Sequence, residues 1–443
     1  MHLGGPHGYD RPRRIGVPFI CRFSVSRAVG YRIRQHVERG QGVEVRRLGR
    51  ALGAAAVAGW LGVLLLVVLS ASCGHQGFLN GTEVTPTPSP TSSSTATAGP
   101  TATPTQGLVF ATNNGDGKLS EFSRDLTSGA LTLIGTTAVG AASGPTGLAL
   151  SPSNGFLYVA NSADHLIREF SVNASTGALT GIGSVSDGAA SSPQRIAIDS
   201  SGSFLYVTDG TGASISQYSI GSAGTLVANG SFIDAGIVVQ PMGIAAAPGG
   251  GAMYVADFGS GLVISLSITA GGTLALVNTV ASLGTAGPGQ PLGIVVDPTG
   301  NFVYVADRAG GVVSAFSVGA GNALTFLASY PTAALTRKTF DLTLADNAAA
   351  LFLYATNGTI NTVSDFIVST GVLSLQSATG GLSGPEGIVS DPTGSFVYVA
   401  NNATGQVLGY QVGAAGALSS IGTFNTESPA NPASFPAFLA ITQ

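Results

Sequence analysis

The four residues Tyr158-Val159-Ala160-Asn161 decide how this chain folds, because close copies of them recur along most of its length. In each copy an aromatic residue begins a short apolar step that ends in Asn or Asp. The seven aromatic anchors are Phe110, Tyr158, Tyr206, Tyr254, Tyr304, Tyr354 and Tyr398, and the steps between them are 48, 48, 48, 50, 50 and 44 residues. A repeat of this length indicates supersecondary units that bury their apolar faces by stacking on one another.

Each repeat is predicted to contain four strands, which we call A, B, C and D in chain order. Apolar segments alternate with turns rich in Gly, Pro, Asp and Ser, which supply the backbone geometry of chain reversals. In the fifth repeat the predicted strands cover residues 293–296, 302–306, 312–318 and 323–328. Four-stranded units of about 40 to 50 residues are typical of a β-propeller. The sequence therefore predicts an all-β, seven-bladed β-propeller over residues 107–443.

The two ends of the repeat region predict how the ring closes. The first repeat begins at strand B, residues 108–112, and has no strand A of its own. The missing strand is predicted at the C-terminus, where residues 436–441 (Pro-Ala-Phe-Leu-Ala-Ile) resemble residues 145–150 (Pro-Thr-Gly-Leu-Ala-Leu). We expect the C-terminal strand to pair into the first blade and leave no unpaired edge there. Deletion of residues 434–443 is expected to open the ring.

Three segments of different composition precede the repeats. Residues 1–50 hold 11 of the 18 Lys and Arg residues and form an irregular basic leader that could be an artefact of the assigned start site. Residues 51–73 combine an uncharged stretch with Ser70-Ala71-Ser72-Cys73, which resembles a signal peptide that ends in a bacterial lipobox. Residues 74–106 are rich in Thr, Pro and Ser and are predicted to be a disordered stalk.

This N-terminal pattern predicts a lipoprotein whose lipid is attached to Cys73. The alternative is an uncleaved transmembrane helix, because about 20 apolar residues suffice to span a bilayer. In both cases the basic end stays in the cytoplasm, and the propeller is membrane-anchored outside it, at the bacterial cell envelope.

Charge and cysteine content exclude several classes of function. Residues 74–443 carry 7 basic and 19 acidic side chains, a net charge of −12, so we expect no nucleic-acid binding. The two cysteines, Cys21 and Cys73, both precede the repeats, so no disulfide is expected in the propeller. The repeats show no metal-ligand spacing, phosphate-binding loop or nucleophile elbow, and we predict a monomer without metal or cofactor.

The start of each strand A supplies the candidate site residues, because these inner strands line the channel of a propeller. The residues aligned after the strand's Pro or its equivalent are Thr146, Gln194, Met242, Leu292, Asp341, Glu386 and Ala437. The next residues are Gly147, Arg195, Gly243, Gly293, Leu342, Gly387 and Phe438. Asp341 and Glu386 come from adjacent blades, and Arg195 replaces the usual glycine. Such a group could bind a polar ligand or a cation or perform acid/base chemistry; alternatively, the three are solvated rim residues.

The anchors also carry a family resemblance. Tyr158-Val159-Ala160-Asn161, Tyr206-Val207-Thr208-Asp209 and Tyr398-Val399-Ala400-Asn401, each after a Gly-x-Phe turn or a variant of it, resemble the YVTN-type repeat of the seven-bladed lactonase family. That family includes 6-phosphogluconolactonase and carboxymuconate cyclase-like proteins. The resemblance implies the propeller fold and a possible lactone-opening activity. Lactonase members often carry Arg-His where strand A enters the channel, and here only Gln194-Arg195 keeps a cation, without a histidine.

Two functions of different classes follow from these observations. The first is an exported, lipid-anchored propeller that binds a protein, a glycan or a small molecule at the cell envelope. The second is a lactonase-type hydrolase with its site in the central channel, in which Arg195, Asp341 and Glu386 are the candidate residues. The two hypotheses differ in whether these three side chains converge at one channel mouth.

Overall fold

Seven four-stranded antiparallel sheets make up the described part of the chain in the computed structural model. The structure describes residues 106–140, 144–188, 191–234, 236–333, 338–427 and 434–443. The predictions for the basic leader, the signal peptide, Cys73 and the stalk up to residue 105 lie outside the described residues. Within the described ranges, no helix is long and apolar enough to cross a membrane.

The strands follow the chain blade by blade, and each list runs from the innermost predicted strand outward. Blade 1 holds β28 (Pro436–Ile441), β1 (Gly107–Asn113), β2 (Lys118–Arg124) and β3 (Leu131–Ala138). Blade 2 holds β4 (Pro145–Leu150), β5 (Phe156–Asn161), β6 (Leu166–Val172) and β7 (Leu179–Ser186). Blade 3 holds β8 (Pro193–Ile198), β9 (Phe204–Asp209), β10 (Ser214–Ile220) and β11 (Leu226–Phe232). Blade 4 holds β12 (Pro241–Ala246), β13 (Ala252–Asp257), β14 (Leu262–Ile268) and β15 (Leu274–Ala281).

The remaining three blades repeat the same order. Blade 5 holds β16 (Pro291–Val296), β17 (Phe302–Asp307), β18 (Val312–Val318) and β19 (Leu324–Pro331). Blade 6 holds β20 (Thr339–Asp346), β21 (Leu351–Asn357), β22 (Thr362–Ser369) and β23 (Val372–Thr379). Blade 7 holds β24 (Pro385–Ser390), β25 (Phe396–Asn401), β26 (Gln406–Val412) and β27 (Leu418–Asn425). Short 3-10 turns cover Gly284–Ala286, Ala320–Asn322 and Asn402–Thr404.

Contacts between the inner strands show that the blades form a closed ring. Each strand A contacts the strand A of the next blade, and β28 contacts both β24 and β4. The C-terminal strand pairs antiparallel with β1, with Ala111 opposite Leu439 and Val109 opposite Ile441. The predicted seven-bladed propeller and its closure by residues 436–441 are therefore confirmed.

The aromatic anchors join each blade to the next. Tyr206 is fully buried on strand B, and its hydroxyl donates a 2.8 Å hydrogen bond to the carbonyl of Gly272, in the C–D turn of the following blade. Phe204, two residues earlier, packs against the same glycine, where a Cβ would lie 2.2 Å from its ring. The hydroxyls of Tyr158, Tyr354 and Tyr398 make the equivalent bond, at 2.7 Å each.

Three blades depart from this pattern, and in blade 1 the anchor is Phe110, which has no hydroxyl. The hydroxyls of Tyr254 and Tyr304 are buried but have no hydrogen-bond partner among the described residues. In blade 4, Ala252 also replaces the phenylalanine, and a Cβ on Gly321 in the next blade would meet nothing. The anchor therefore contributes apolar burial in these blades, without the hydrogen bond to the neighbour.

A second position on strand C also links neighbouring blades. Glu169 accepts a hydrogen bond from the backbone N–H of Leu226, and Gln217 accepts one from Leu274. The corresponding residue of blade 6 is Asp365, which is one methylene shorter. Its Oδ2 accepts from the Ser377 hydroxyl, while its buried Oδ1 has no partner in the described chain. Burial raises the pKa of Asp365 to about 6.

Candidate functional site

A cavity of about 460 Å³ opens at the mouth of the central channel, where the strands A begin. The residue after the first position of every strand A lines it: Thr146, Gln194, Met242, Leu292, Phe340, Glu386 and Ala437. Rim residues from the loops complete the wall: Asn114, Gln240, Phe258, Arg308 and Asn402. Arg195 and Phe438, from the next position of strand A, also line it. The cavity thus combines two guanidinium groups, one carboxyl and several amides with aromatic and aliphatic surface, a composition typical of small-molecule sites.

Asp341 lies one position deeper in the channel than the sequence alignment predicts. Thr339 pairs with Asn357 and Leu342 with Ala355, as Pro145 pairs with Asn161 and Leu148 with Val159 in blade 2. Thr339 therefore takes the place of the proline, and Phe340 takes the position assigned to Asp341. The alignment failed because Thr339 precedes its anchor Tyr354 by 15 residues, whereas Pro385 precedes Tyr398 by 13.

The corrected register places Asp341 level with Arg195. Arg195 Nη1 donates to Asp341 Oδ2 across the channel at 3.2 Å, and the two side chains are 24% and 10% exposed. The guanidinium of Arg195 also lies over the ring of Phe438, with Cζ 3.6 Å from the ring centroid. Arg195 and Phe438 line both the mouth cavity and a smaller cavity of about 130 Å³ that Asp341 also lines. The ion pair therefore forms the floor of the mouth cavity.

Close approach of the inner strands explains why glycine is usual at this level. A Cβ on Gly243 would lie 2.0 Å from the carbonyl oxygen of Leu292 in the next blade. At Gly147 and Gly387 it would lie 2.4 Å from the carbonyl oxygens of Gln194 and Ala437. Gly293 meets the Cα of Asp341 at 2.7 Å. The side chains that depart from glycine at this level include Arg195, Asp341 and Phe438, and Arg195 contacts both of the other two.

Glu386 stands on the wall of the cavity, near the ion pair. Burial raises its pKa to about 7, whereas the nearby Arg195 guanidinium and a hydrogen bond with the Asn402 amide act in the opposite direction. A carboxyl group with this pKa exchanges a proton readily near neutral pH, which is what a general base or acid requires. The structure therefore brings Arg195, Asp341 and Glu386 together at one mouth.

Arg308 is a further cation of the mouth cavity that was not among the residues predicted from the sequence. Arg308 follows Asp307, the last residue of β17, and its guanidinium carbon lies 5.9 Å from the ring centroids of both Phe258 and Phe340. The Asp307 carboxylate is directed into the loops, where it accepts hydrogen bonds from the backbone N–H groups of Gln290 and Gly310. Arg308 could have been found by comparing the residues that follow the Asp or Asn at the end of each strand B. The Asp or Asn recurs in every blade, whereas the residue after it varies.

Comparison with known proteins identifies the family. The family model described as "Lactonase, 7-bladed beta-propeller" matches residues 66–191 and 244–350, more than half of the chain. The chain belongs to the lactonase family. No curated protein matches it in sequence.

Solved structures with a similar fold have low sequence identity to this chain. A protein of Bacteroides uniformis, named provisionally as a 6-phosphogluconolactonase, is 17% identical, with a TM-score of 0.67, over 76% of this chain and 100% of that one. The periplasmic gluconolactonase of Pseudomonas aeruginosa is 18% identical, with a TM-score of 0.63, over 76% and 99%. A Lactobacillus plantarum protein is 20% identical, with a TM-score of 0.66, over 76% and 99%. These likenesses establish the fold.

Glu386 is the carboxyl group that lines the mouth cavity among the described residues. His165, the only histidine of residues 107–443, does not line the mouth cavity, so Glu386 is its titratable acid/base group among the described residues. No group of three or more potential metal ligands occurs in the described ranges. The arrangement can thus supply a carboxylate base, an adjacent guanidinium and a polar wall.

Proposed function

We propose that the protein hydrolyses a small hydroxylated lactone in the mouth cavity. The observation that carries the proposal is the placement of Glu386, with a pKa near 7, in the same cavity as the Arg195 guanidinium. Membership of the lactonase family supports it, and two structural neighbours bear names of sugar-lactone hydrolases. The family and the cavity together favour this function over the binding module that the sequence alone placed first.

The chemistry follows from the positions of the two groups. The Glu386 carboxylate accepts a proton from a water molecule as the water oxygen attacks the lactone carbonyl carbon. The Arg195 guanidinium stabilises the negative charge that develops on the carbonyl oxygen. When the ring C–O bond breaks, the protonated Glu386 returns its proton to the departing alkoxide oxygen. The product is the open hydroxy acid, and the enzyme carboxylate is regenerated.

Asp341 has a positioning role in this proposal. Its carboxylate holds Arg195 across the channel, and the Phe438 ring packs against the guanidinium. Because a paired guanidinium keeps one orientation, its remaining N–H groups stay directed toward the ligand. Phe438 belongs to the ring-closing strand β28, so the floor of the site is complete only when the propeller is closed.

Initial hydrolysis rates on a panel of lactones, corrected for the spontaneous reaction, test the proposal. The panel includes glucono-δ-lactone, 6-phosphogluconolactone and an acyl-homoserine lactone. On the best substrate we expect Glu386→Gln to lower kcat by about 100-fold or more, which is the usual contribution of a general base. Arg195→Ala should lower kcat/KM by a similar factor.

The matched control is Asp346→Asn, which removes one negative charge at an exposed position at the end of β20. It should leave the rate unchanged. Hydrolysis by Glu386→Gln at the parental rate would refute the proposed base. Tight binding of lactones or hydroxy acids without turnover would instead support the binding-module function.

We also propose that the protein acts outside the cytoplasm as a lipoprotein. The support is the sequence of residues 51–73, with its uncharged stretch and Cys73, and one structural neighbour is periplasmic by name. Mass analysis of the N-terminal peptide of the membrane-extracted protein is the test. A diacylglycerol-modified Cys73 is expected at the mature N-terminus, and an uncleaved, unmodified segment would favour the transmembrane-helix alternative.

A further inference from the structure

The second guanidinium of the mouth cavity, Arg308, has no use in the proposed hydrolysis. Its side chain is half-buried, and none of the described carboxylates lies within ion-pair distance of it. Arg195, by contrast, is paired with Asp341 in the same cavity. A half-buried cation without a counter-ion is destabilising, because the charge has lost part of its hydration. A ligand that brings an anion to Arg308 would remove this cost.

The surroundings of Arg308 favour an anionic ligand held at the rim. Phe258 and Phe340 flank the guanidinium and restrict the water around it, which strengthens a charge-assisted hydrogen bond at this place. Arg308 stands on blade 5, whereas Glu386 and Asn402 stand on blade 7. Because both groups line the same cavity of about 460 Å³, one ligand can present its lactone to Glu386 and an anionic substituent to Arg308.

The charge balance of the cavity favours a carboxylate over a phosphate. Among the described residues, Arg195 and Arg308 are the cations that line it, and Arg195 is already engaged by Asp341. Glu386 adds a further acidic group to the wall. A phosphate dianion would meet one available guanidinium and a nearby acid, whereas a single planar carboxylate matches the two-pronged geometry of one guanidinium.

We propose that Arg308 is a specificity-determining residue and that the substrate is a hydroxylated lactone bearing a second, remote carboxylate. The chemical class is that of lactones of sugar diacids. This inference rests on the hydrolysis proposed above for the reaction itself, but the recognition of the carboxylate can be measured without turnover. It places the discrimination between neutral and acidic substrates on the rim loop that follows β17.

Isothermal titration with three open-chain acids tests this recognition. The probes are gluconate, which has one carboxylate, glucarate, which has two, and 6-phosphogluconate, which has a carboxylate and a phosphate. We expect glucarate to bind about tenfold or more tighter than gluconate, the usual effect of one charge-assisted hydrogen bond. Arg308→Ala should abolish that preference and leave gluconate affinity within about twofold of the parent. Arg308→Lys should keep part of it, because an ammonium lacks the fork geometry.

Arg168→Ala is the matched control, since Arg168 pairs with Asp164 on blade 2 and does not line the mouth cavity. It should keep the preference for glucarate. Far-UV circular dichroism and the melting temperature establish that each variant is folded, and Arg308→Gln replaces Arg308→Ala if the latter is not. Equal affinity for gluconate and glucarate, or a preference that survives loss of Arg308, would overturn the proposal. Tightest binding of 6-phosphogluconate, dependent on Arg308, would overturn the carboxylate class.

The two proposals fail separately. If glucarate is preferred through Arg308 but no lactone of the panel or of glucarate is hydrolysed, the hydrolysis fails and the recognition stands. If neutral lactones are hydrolysed with Glu386 as base but glucarate has no advantage, only the role of Arg308 fails.

Discussion

The tyrosine anchors make a prediction in which two chemically identical substitutions have different effects. Tyr206→Phe removes a buried hydroxyl that donates at 2.8 Å to the carbonyl of Gly272 in the next blade. Tyr254→Phe removes a buried hydroxyl that has no partner in the described chain. Both changes delete one oxygen from a fully buried ring at the same position of the repeat, so the apolar burial is preserved.

The expected magnitudes follow from the hydrogen bond alone. Loss of the Tyr206 bond leaves the Gly272 carbonyl without this donor, and we expect the free energy of unfolding to fall by about 1 to 2 kcal/mol. Loss of the unpartnered Tyr254 hydroxyl should leave it unchanged or raise it slightly, since an unsatisfied buried polar group is removed. The predicted difference between the two variants is therefore about 1 kcal/mol or more.

Urea unfolding followed by far-UV circular dichroism measures both free energies. Tryptophan fluorescence is unsuitable, because the only tryptophan, Trp60, precedes the propeller. The slope of the transition should be the same in both variants, so that the midpoints compare directly. If Tyr254→Phe destabilises as much as Tyr206→Phe, the hydroxyl bond to the next blade is not what distinguishes the anchors, and the reasoning is refuted.

Three further predictions concern the buried acids and the inner strands. Because folding raises the pKa of Asp365, the contribution of this residue to the free energy of unfolding falls as pH rises through about 4 to 6. The free energy of unfolding therefore decreases between about pH 4 and pH 8, and Asp365→Asn should make that decrease smaller by about 2 kcal/mol, measured by urea unfolding at both pH values. Gly243→Ala should destabilise by about 1 to 3 kcal/mol or more, because its Cβ meets the Leu292 carbonyl, whereas Gly271→Ala, which meets nothing, should be neutral in the same assay. The kcat/KM of lactone hydrolysis should rise with pH and reach half its maximum near pH 7, as the Glu386 carboxyl ionises; a profile without this step would contradict the assignment.

Much of the fold could be predicted because the same four-stranded pattern recurs seven times in the sequence. Predicted strand C of the fifth repeat, residues 312–318, coincides with β18, and the closing strand 436–441 coincides with β28. Strand D, predicted at residues 323–328, runs from Leu324 to Pro331 as β19. The end of strand D is harder to predict from the sequence, because this outer strand is exposed to solvent. Its alternation of apolar and polar residues gives no clear stop.

The site was predicted less completely, for reasons that the repeat itself explains. Arg195 and Glu386 were found because they interrupt a recurrent position. Asp341 was assigned to the wrong level, since two additional residues before Tyr354 shift the register of one blade. Arg308 was missed because the residue that follows the Asp or Asn of each strand B differs in type from blade to blade, so an arginine there does not interrupt a recurrent residue. The environment of Arg308 depends on Phe258 and Phe340, which belong to the neighbouring blades and approach it only in the folded ring.

Closure of the ring by β28 also determines the order in which the protein can fold. The pairs that join β28 to β1, such as Val109 with Ile441, are separated by more than 300 residues, whereas the other strand pairs of each blade are close in sequence. Loop-closure entropy makes such a distant contact slow to form. Blades 2 to 7 can therefore assemble as their hairpins are synthesised. During that time β1 remains an exposed edge strand, because its partner β28 has not yet been made. That interval is when the protein is most exposed to edge-to-edge aggregation, and any process that delays the C-terminus prolongs it.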